Sequence, residues 1–420
     1  MTFMIGWNVI PIKKLGRVVT GKTPPTGSQE YYGGDELFVS PKDLTRDSCF
    51  VYETETKITS RALEKFKGQV IPKNSVMFTS LSFAFGKMGI TSRPCITNQQ
   101  ISTVVANEEH NYRFVYYLLR TYESIIFSYN SGIDTPIVPK SVFEKIQVRC
   151  PNLDLQEKIA AVLSAYDDLI DNNRRRIELL ERMAEELYRE WFVRFRFPGY
   201  QQTKFEKGVP VGWKQTGLGS LGTYLNGYAF KPSDLSLDGI PVIKIKEING
   251  GVTAETPRNS GESIAKKYHF DDGAIIFSWS ATLAVKVWDQ GTGLLNQHLF
   301  KVTPTEGVPS SFLYLSIKFC LPIFDSLTTG STMKHIKRKE LDAVKIGLPG
   351  KTILEEFDRS ASTLLREKLK LSKANQLLVE ARNQLLTRLI SGKLPVDQLD
   401  IQFPSSMREA DEARQEVVHA

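Results

Sequence analysis

A chain of 420 residues that is 41% apolar is long enough for two or three domains, each with its own core, which excludes disorder throughout. No run of about 18 apolar residues occurs, and Trp7, Asn8, Pro11, Lys13 and Lys14 interrupt the stretch where a signal peptide needs a continuous apolar core, so a cytoplasmic chain without membrane contact is expected. The net charge of +7 permits a polyanionic partner, while Cys49, Cys95, Cys150 and Cys320 are too widely spaced for a zinc or dithiol motif.

Read in chain order, the sequence contains one pattern twice. Gly6-Trp7, Leu15-Gly16 and Gly21 reappear as Gly212-Trp213, Leu221-Gly222 and Gly227, shifted by 206 residues. Farther on, Phe78, Asn98-Gln99, Gly132 and Pro151 match Phe277, Asn296-Gln297, Gly330 and Pro349, with the shift drifting only to 199 and 198. Ordered matches at a nearly constant shift mark an internal duplication. Charge follows the same division: residues 1–150 carry 18 basic against 13 acidic side chains and 201–350 carry 17 against 13, whereas 151–200 carry 8 against 10 and 351–420 carry 11 against 11. Two basic modules therefore alternate with two nearly neutral segments.

Within the modules, Leu37–Val39, Ser75–Phe78, Ile240–Ile245 and Ala274–Phe277 read as short strands between Gly, Pro, Asp and Asn turns. Phe114–Tyr122 and Phe312–Phe319 are equivalent apolar-aromatic stretches, each expected to form one core helix. After each module a proline precedes a capping box, Asp154-x-x-Glu157 and Thr352-x-x-Glu355, and a long helix follows. In the first helix Leu155, Ile159, Val162, Tyr166, Leu169, Asn173, Leu180, Met183 and Leu187 recur at steps of three and four. The second has Ile353, Phe357, Leu364, Leu371, Leu378 and Leu385, the last four at heptad spacing. Helices of this length would extend roughly 55–60 Å. The linker from Pro198 to Gly208 is short, so pairing of the two seams would be antiparallel, with Asn173 as a polar register residue. The expected fold class is mixed α/β (α+β): module 1 at 1–150, a spacer helix at 151–197, module 2 at 198–350, a second spacer helix at 351–393 and a flexible tail at 394–420.

Chemistry is sparse. Gly217-x-Gly219-x-x-Gly222 with Asp238 matches a dinucleotide fingerprint, but the required strand before it and helix after it are missing, and Pro11 and Lys13 stand at the equivalent places in the first copy. Asp43 or Asp47 with Glu55-Thr-Lys57 could be the acidic and lysine elements of a divalent-metal nuclease, yet the triplet is a weak pattern without tied spacing. His110, His269, His298, His335 and His419 show no metal-ligand spacing. No catalytic residue and no metal or cofactor site is therefore expected. What does recur is polar: Lys42 aligns with Lys246, Asn98-Gln99-Gln100 aligns with Asn296-Gln297-His298, and serine-rich turns follow both Phe78 and Phe277. Asn and Gln can bond adenine, Lys and Arg reach guanine or phosphate, and Ser serves either. The candidate DNA contacts are Lys22, Lys42, Ser80, Lys87, Gln99 and Gln100 in the first module. In the second they are Lys231, Lys246, Trp279, Ser280, Asn296, Gln297, His298 and the basic run Lys334, His335, Lys337 and Arg338.

The layout of Gly208-Val-Pro210-Val-Gly212-Trp213, Leu221-Gly222, Asn226-Gly-Tyr-Ala-Phe230, Asn296-Gln-His298, Gly330-Ser-Thr-Met-Lys-His-Ile336 and Pro349 before a long helix resembles the specificity subunit of type I restriction-modification systems. The first copy departs from the family at Ser131-Gly-Ile-Asp-Thr135. The resemblance implies two target-recognition domains that each read half of a split double-stranded DNA sequence, held by two antiparallel helices, with no catalytic centre. It also implies partners: methyltransferase subunits, two of them, that bring S-adenosylmethionine, and restriction subunits that bring ATP and Mg²⁺ chemistry. The alternatives are the divalent-metal nuclease and a helical scaffold that binds only protein.

Overall fold

The computed structural model describes residues 7–46, 48–81, 86–131, 136–327, 336 and 338–408. They form two compact units, one of residues 1–172 with 376–420 and the other of 173–375.

Each unit is built on the same strand register. In the first, Trp7–Pro11 pairs antiparallel with Gln147–Pro151, and in the second Lys214–Gly217 pairs with Lys345–Leu348 so that Lys214 faces Leu348 as Asn8 faces Cys150. Gly16 faces Ala106, and Gly222 faces Pro304. Val76 faces Val104, and Ile275 faces Val302. Even the parallel pairs match, with Phe38 opposite Ile96 and Val242 opposite Leu294. A one-residue slip would turn every buried side chain outward, so agreement at this level demonstrates the duplication. The units differ at their edges: Phe50–Val51 adds a fifth strand to the main sheet of the first, while the corresponding sheet of the second has four.

The strands fall close to expectation, at Tyr32–Val39, Val76–Thr79, Ile240–Ile243 and Ile275–Ser278. Ile245, expected as strand, instead opens a short helix to Gly250. The first core helix is Tyr112–Thr121, capped by the Asn111 carboxamide, and Glu123–Ser128 forms a separate helix after it. Its counterpart Ser310–Leu327 runs as one helix with Pro322 inside.

The central long helix spans Leu153–Tyr188 and the C-terminal one Lys351–Ile390. Each starts one residue before its expected capping box. Asn152 Oδ1, not Asp154, accepts the Leu155 N–H (3.1 Å). The two helices run antiparallel within each unit. In the second unit Asn173 bonds Asn375 (2.9 Å) and Glu181 bonds Lys368; in the first, Asp167 bonds Arg382. The seam differs from the leucine pattern: Leu169 and Met183 are 52% and 49% exposed, whereas Asp167, Lys368 and Arg382 are buried. Opposite charges that meet in the seam offset much of the cost of burying them.

Residues 394–408, expected as part of a flexible tail, pack on the first unit: Val396 and Met407 are buried with Leu386, Leu389 and Ile390 in its core. Arg113 donates to the Ser406 carbonyl (3.1 Å), and Ser406 donates to Asp168 (2.6 Å). Residues 409–420 lie outside the described range. The glycines of the nucleotide-like motif serve packing, for a Cβ at Gly217 would stand 2.7 Å from the Asp342 carbonyl oxygen and one at Gly219 would strike its carboxylate. A short 3₁₀ turn and then the strand Gly222–Asn226 follow, not the helix a phosphate cradle needs.

Candidate nucleic-acid interface

In the first module the ends of several strands converge on the turn at Asn98–Gln100. The Asn98 N–H donates to the Val39 carbonyl (2.8 Å), the Ser80 N–H to the Gln100 carbonyl (2.9 Å) and the Gly21 N–H to the Ile101 carbonyl (3.2 Å). Asn98 Oδ1 accepts the Gln100 N–H (2.7 Å), so this carboxamide builds the turn rather than leaving it. Gln99 is exposed and accepts the Thr23 hydroxyl (2.6 Å). In the same module Lys22 and Lys42 are exposed, and Lys87 is half-buried and donates to the Pro41 carbonyl (3.4 Å). A Cβ at Gly21 would enter the Asn98 carbonyl oxygen, which explains the glycine.

The second module repeats this construction. The Asn296 N–H donates to the Ile243 carbonyl (3.2 Å), the Gln297 N–H to the Tyr228 carbonyl (2.9 Å) and the Gly227 N–H to the Leu299 carbonyl (3.1 Å). Gly227 is again required, here by the Asn296 carbonyl. Asn296 is 5% exposed and accepts the His298 N–H (3.4 Å), whereas Gln297 and His298 are exposed. Trp279 stacks on Phe300 with ring centroids 5.6 Å apart, and its other ring neighbour is His298 at 6.3 Å. Lys246 lies exposed on the short helix Ile245–Gly250, and Lys231 lies exposed before the turn at Pro232–Asp234.

Several of the expected contact residues lie below the surface of their loop clusters. Ser80 is buried and bonded to Ser102 (3.0 Å), and Ser280 is buried beneath His298 (3.4 Å). Both are buried beneath exposed neighbours, as Asn296 is. Ser80 and Trp279 are the true equivalents, since the Val138 N–H donates to the Ser80 carbonyl (3.0 Å) and the Ile336 N–H to the Trp279 carbonyl (2.9 Å). Lys334, His335 and Lys337 lie outside the described residues, and Arg338 begins a short helix to Ala343. Thr23 and Tyr228 belong to the two loop clusters but escaped the sequence reading; their signal was position, directly beside Lys22 and Gly227.

The residues of a metal nuclease are otherwise engaged. Asp43 Oδ2 accepts the Ser40 N–H and hydroxyl (2.8 and 2.7 Å), and its Oδ1 accepts the Glu55 N–H (2.8 Å). Glu55 itself faces Lys42 (3.8 Å), and Lys57 faces Glu53 (2.7 Å). Asp47 lies outside the described residues. Among the described residues no group of three His, Cys, Asp or Glu side chains could hold a metal ion, and no helix is long and apolar enough to cross a membrane.

The family model for the type I restriction modification DNA specificity domain matches residues 4–182 and 210–371. The type I restriction enzyme MjaIX specificity subunit of Methanocaldococcus jannaschii is 26% identical over 412 residues, covering 94% of each chain. The MjaVIII specificity subunit of the same organism is 23% identical over 417 residues, again covering 94% of each. The crystal structure of the type I restriction-modification S subunit from M. genitalium has the same fold, with a TM-score of 0.54 at 13% identity over 93% of this chain and 97% of that one. Two matched segments, one for each copy of the repeat, account for most of the sequence, and the chain belongs to the type I restriction modification DNA specificity family.

Proposed function

We propose that this chain is the recognition subunit of a type I restriction-modification complex in which each module reads one half of a split duplex target. One observation carries the reading: two modules with matching strand register present different side chains at the same loop positions. Gln100 is replaced by His298 on backbones joined by equivalent hydrogen bonds. A scaffold that only had to bind protein twice would gain nothing from that difference, whereas a reader of two unlike half-sequences requires it. Gln99, Gln100, Gln297 and His298 are the base-reading candidates. Lys22, Lys42, Lys87, Lys231 and Lys246, with Lys334, His335, Lys337 and Arg338, would hold phosphates.

The reading modules are residues 1–150 and 198–350, and the helices from 151 and 351 carry them. Two methyltransferase subunits supply S-adenosylmethionine and the methyl transfer, and restriction subunits supply ATP and Mg²⁺ chemistry, so this chain needs no cofactor and works in the cytoplasm. Methylome sequencing of a host carrying the chain with its methyltransferase partner tests the reading. The expected motif has two short half-sequences separated by unread base pairs, and exchange of residues 1–150 for another family member's module changes only one half. A continuous motif, or an exchange that alters both halves, overturns it.

A further inference from the structure

The inward line of the C-terminal helix runs at heptad intervals through Leu354, Ala361, Lys368, Asn375, Arg382 and Leu389, so three consecutive seam positions are polar. Each meets its own partner on the central helix: Lys368 donates to Glu181, Arg382 donates to Asp167, and Asn375 accepts from Asn173 (2.9 Å). Lys368, Arg382 and Asp167 are only 6%, 2% and 5% exposed. Asp167 also accepts the Tyr117 hydroxyl and the Cys49 thiol (2.8 Å). Both seam acids are on the central helix and both seam bases are on the C-terminal helix.

The repeat shows what these positions would contain without the charges. At the shift of 198, Asp167–Arg382 of the first unit corresponds to Leu365–Ala184 of the second, and Lys368–Glu181 of the second corresponds to Ile170–Val379 of the first. At two of the positions burial agrees across the shift, since Ala184 and Ile170 are enclosed like Arg382 and Lys368, while Leu365 and Val379 are half-buried. Each unit thus carries an ion pair where the other carries an apolar pair. The duplication also creates a hazard: the central helix of one copy of the chain could close on the central helix of a second copy, because each has one end shaped for each role. In that pairing Asp167 would face Ala184 and Glu181 would face Ile170, twice over, burying two unanswered Asp167 carboxylates and leaving each Glu181, 28% exposed, with only Lys318 (3.9 Å) beside it. Two C-terminal helices would likewise leave Arg382 against Leu365 and Lys368 against Val379, burying four unanswered bases.

We propose that Asp167, Glu181, Lys368 and Arg382 form a pairing code that directs each long helix to a helix of the other kind and rejects the like helix of a second copy. An uncompensated buried charge is far more costly than an apolar pair of similar volume, so the code acts mainly by exclusion. Its functional meaning rests on the two-reader reading, since a chain closed on itself unites two unlike modules, whereas closure between copies would unite two alike. The pairing itself is measurable without DNA.

The test co-expresses two differently tagged copies of the full chain, captures one tag and measures recovery of the other by native mass spectrometry. Wild type should yield no mixed species. The variant Asp167→Leu, Arg382→Ala, Glu181→Val and Lys368→Ile installs the apolar pairs already packed at the opposite ends, and second-copy recovery should rise by about tenfold or more. A milder variant with only Glu181→Val and Lys368→Ile leaves Asp167 bonded to Tyr117 and Cys49, and leaves Lys318 with Glu185 (2.7 Å). It should show a smaller rise, and it decides the matter alone if the fourfold variant does not fold. Folded variants, judged by circular dichroism, that exchange no more than wild type would overturn the proposal, as would free exchange by wild type. A methylome with an unsplit motif would sink the two-reader reading and leave this result standing.

Discussion

The two units close one scaffold with different chemistry. At the helix seam the first unit relies on Arg382 and Asp167, tied further to Tyr117 and Cys49. The second places Ala184 and Leu365 at those positions, keeps its own ion pair of Lys368 and Glu181 farther along, and adds aromatic rings, Phe192 lying 4.7 Å from Phe357 and 4.8 Å from Phe312 between ring centroids. The same backbone and burial pattern accept either solution, but their failure modes differ. Ring contacts are many and weaken by degrees, whereas an ion pair that loses one member leaves the other buried and charged. Arg382→Ala should therefore have the largest effect, destabilising the first unit by about 3–5 kcal/mol in urea denaturation. Adding Asp167→Leu should recover much of that loss, because the pair then matches what the second unit already packs. If the double variant were no better than the single, the ionic closure would be intrinsically favourable and the comparison would fail.

Cysteine labelling separates the units by stoichiometry. Cys49, Cys95 and Cys150 are in the first unit and Cys320 is in the second, all buried. Burial pushes the Cys95, Cys150 and Cys320 thiols up to about 12 from an ordinary 9.0, and burial, with the Asp167 carboxylate beside it, holds Cys49 well above that ordinary value. For a thiol the sign is direct: a raised value in the fold means the protonated form is favoured there. This contribution to stability is complete below about pH 9 and is lost as pH rises toward 12. Alkylation of Cys95, Cys150 and Cys320 at pH 8 should accordingly be slowed by about a thousandfold relative to the unfolded chain, and that of Cys49 should be slowed too. In Arg382→Ala, three thiols should become reactive before the fourth, as read by mass spectrometry during a urea titration. Simultaneous exposure of all four would mean that the units do not open separately.

How legible was this in the sequence? The duplication was readable because glycines and prolines at forced positions, such as Gly21 and Gly227 against a neighbouring carbonyl, leave a spacing that survives substitution. The long helices were readable from period and caps. The seam was less so. Leu169 and Met183 have the hydropathy of core residues and lie outside, while Lys368 and Arg382 lie inside, because periodicity counts side chains one helix at a time and an ion pair is a property of two. The candidate site shows the same limit. Asn98 and Asn296 aligned strongly, but alignment marked the residues that build the turn, and the exposed neighbours Gln99, Gln297 and His298 are distinguished only by where the backbone leaves them.

The corresponding loop turns allow the two readers to be compared directly. With the assembled complex, Gln297→Ala should relax specificity in one half of the target and Gln99→Ala in the other, each by about 1–3 kcal/mol for a bidentate base contact. Loss of discrimination in both halves from one substitution would contradict independent reading.

The smallest effect belongs to the equivalent lysines. Lys42 and Glu55 stand 3.8 Å apart with side chains 81% and 71% exposed, so their pairing is a solvent-screened contact of about 0–1 kcal/mol and does not hold Lys42 away from a phosphate. A lysine that neutralises one phosphate releases counterions from the duplex, giving about 0.9 of slope in log affinity against log salt. Lys42→Ala and Lys246→Ala should each lower that slope by no more than about 0.9, weaken binding uniformly across sequences and leave both half-motifs unchanged. Because the two positions correspond in the repeat, their double variant should lower the slope by the sum of the two single effects. A Lys42 variant that altered the sequence read by its half would show that this side chain reaches a base edge, and the division into phosphate holders and base readers would have to be redrawn for the first module.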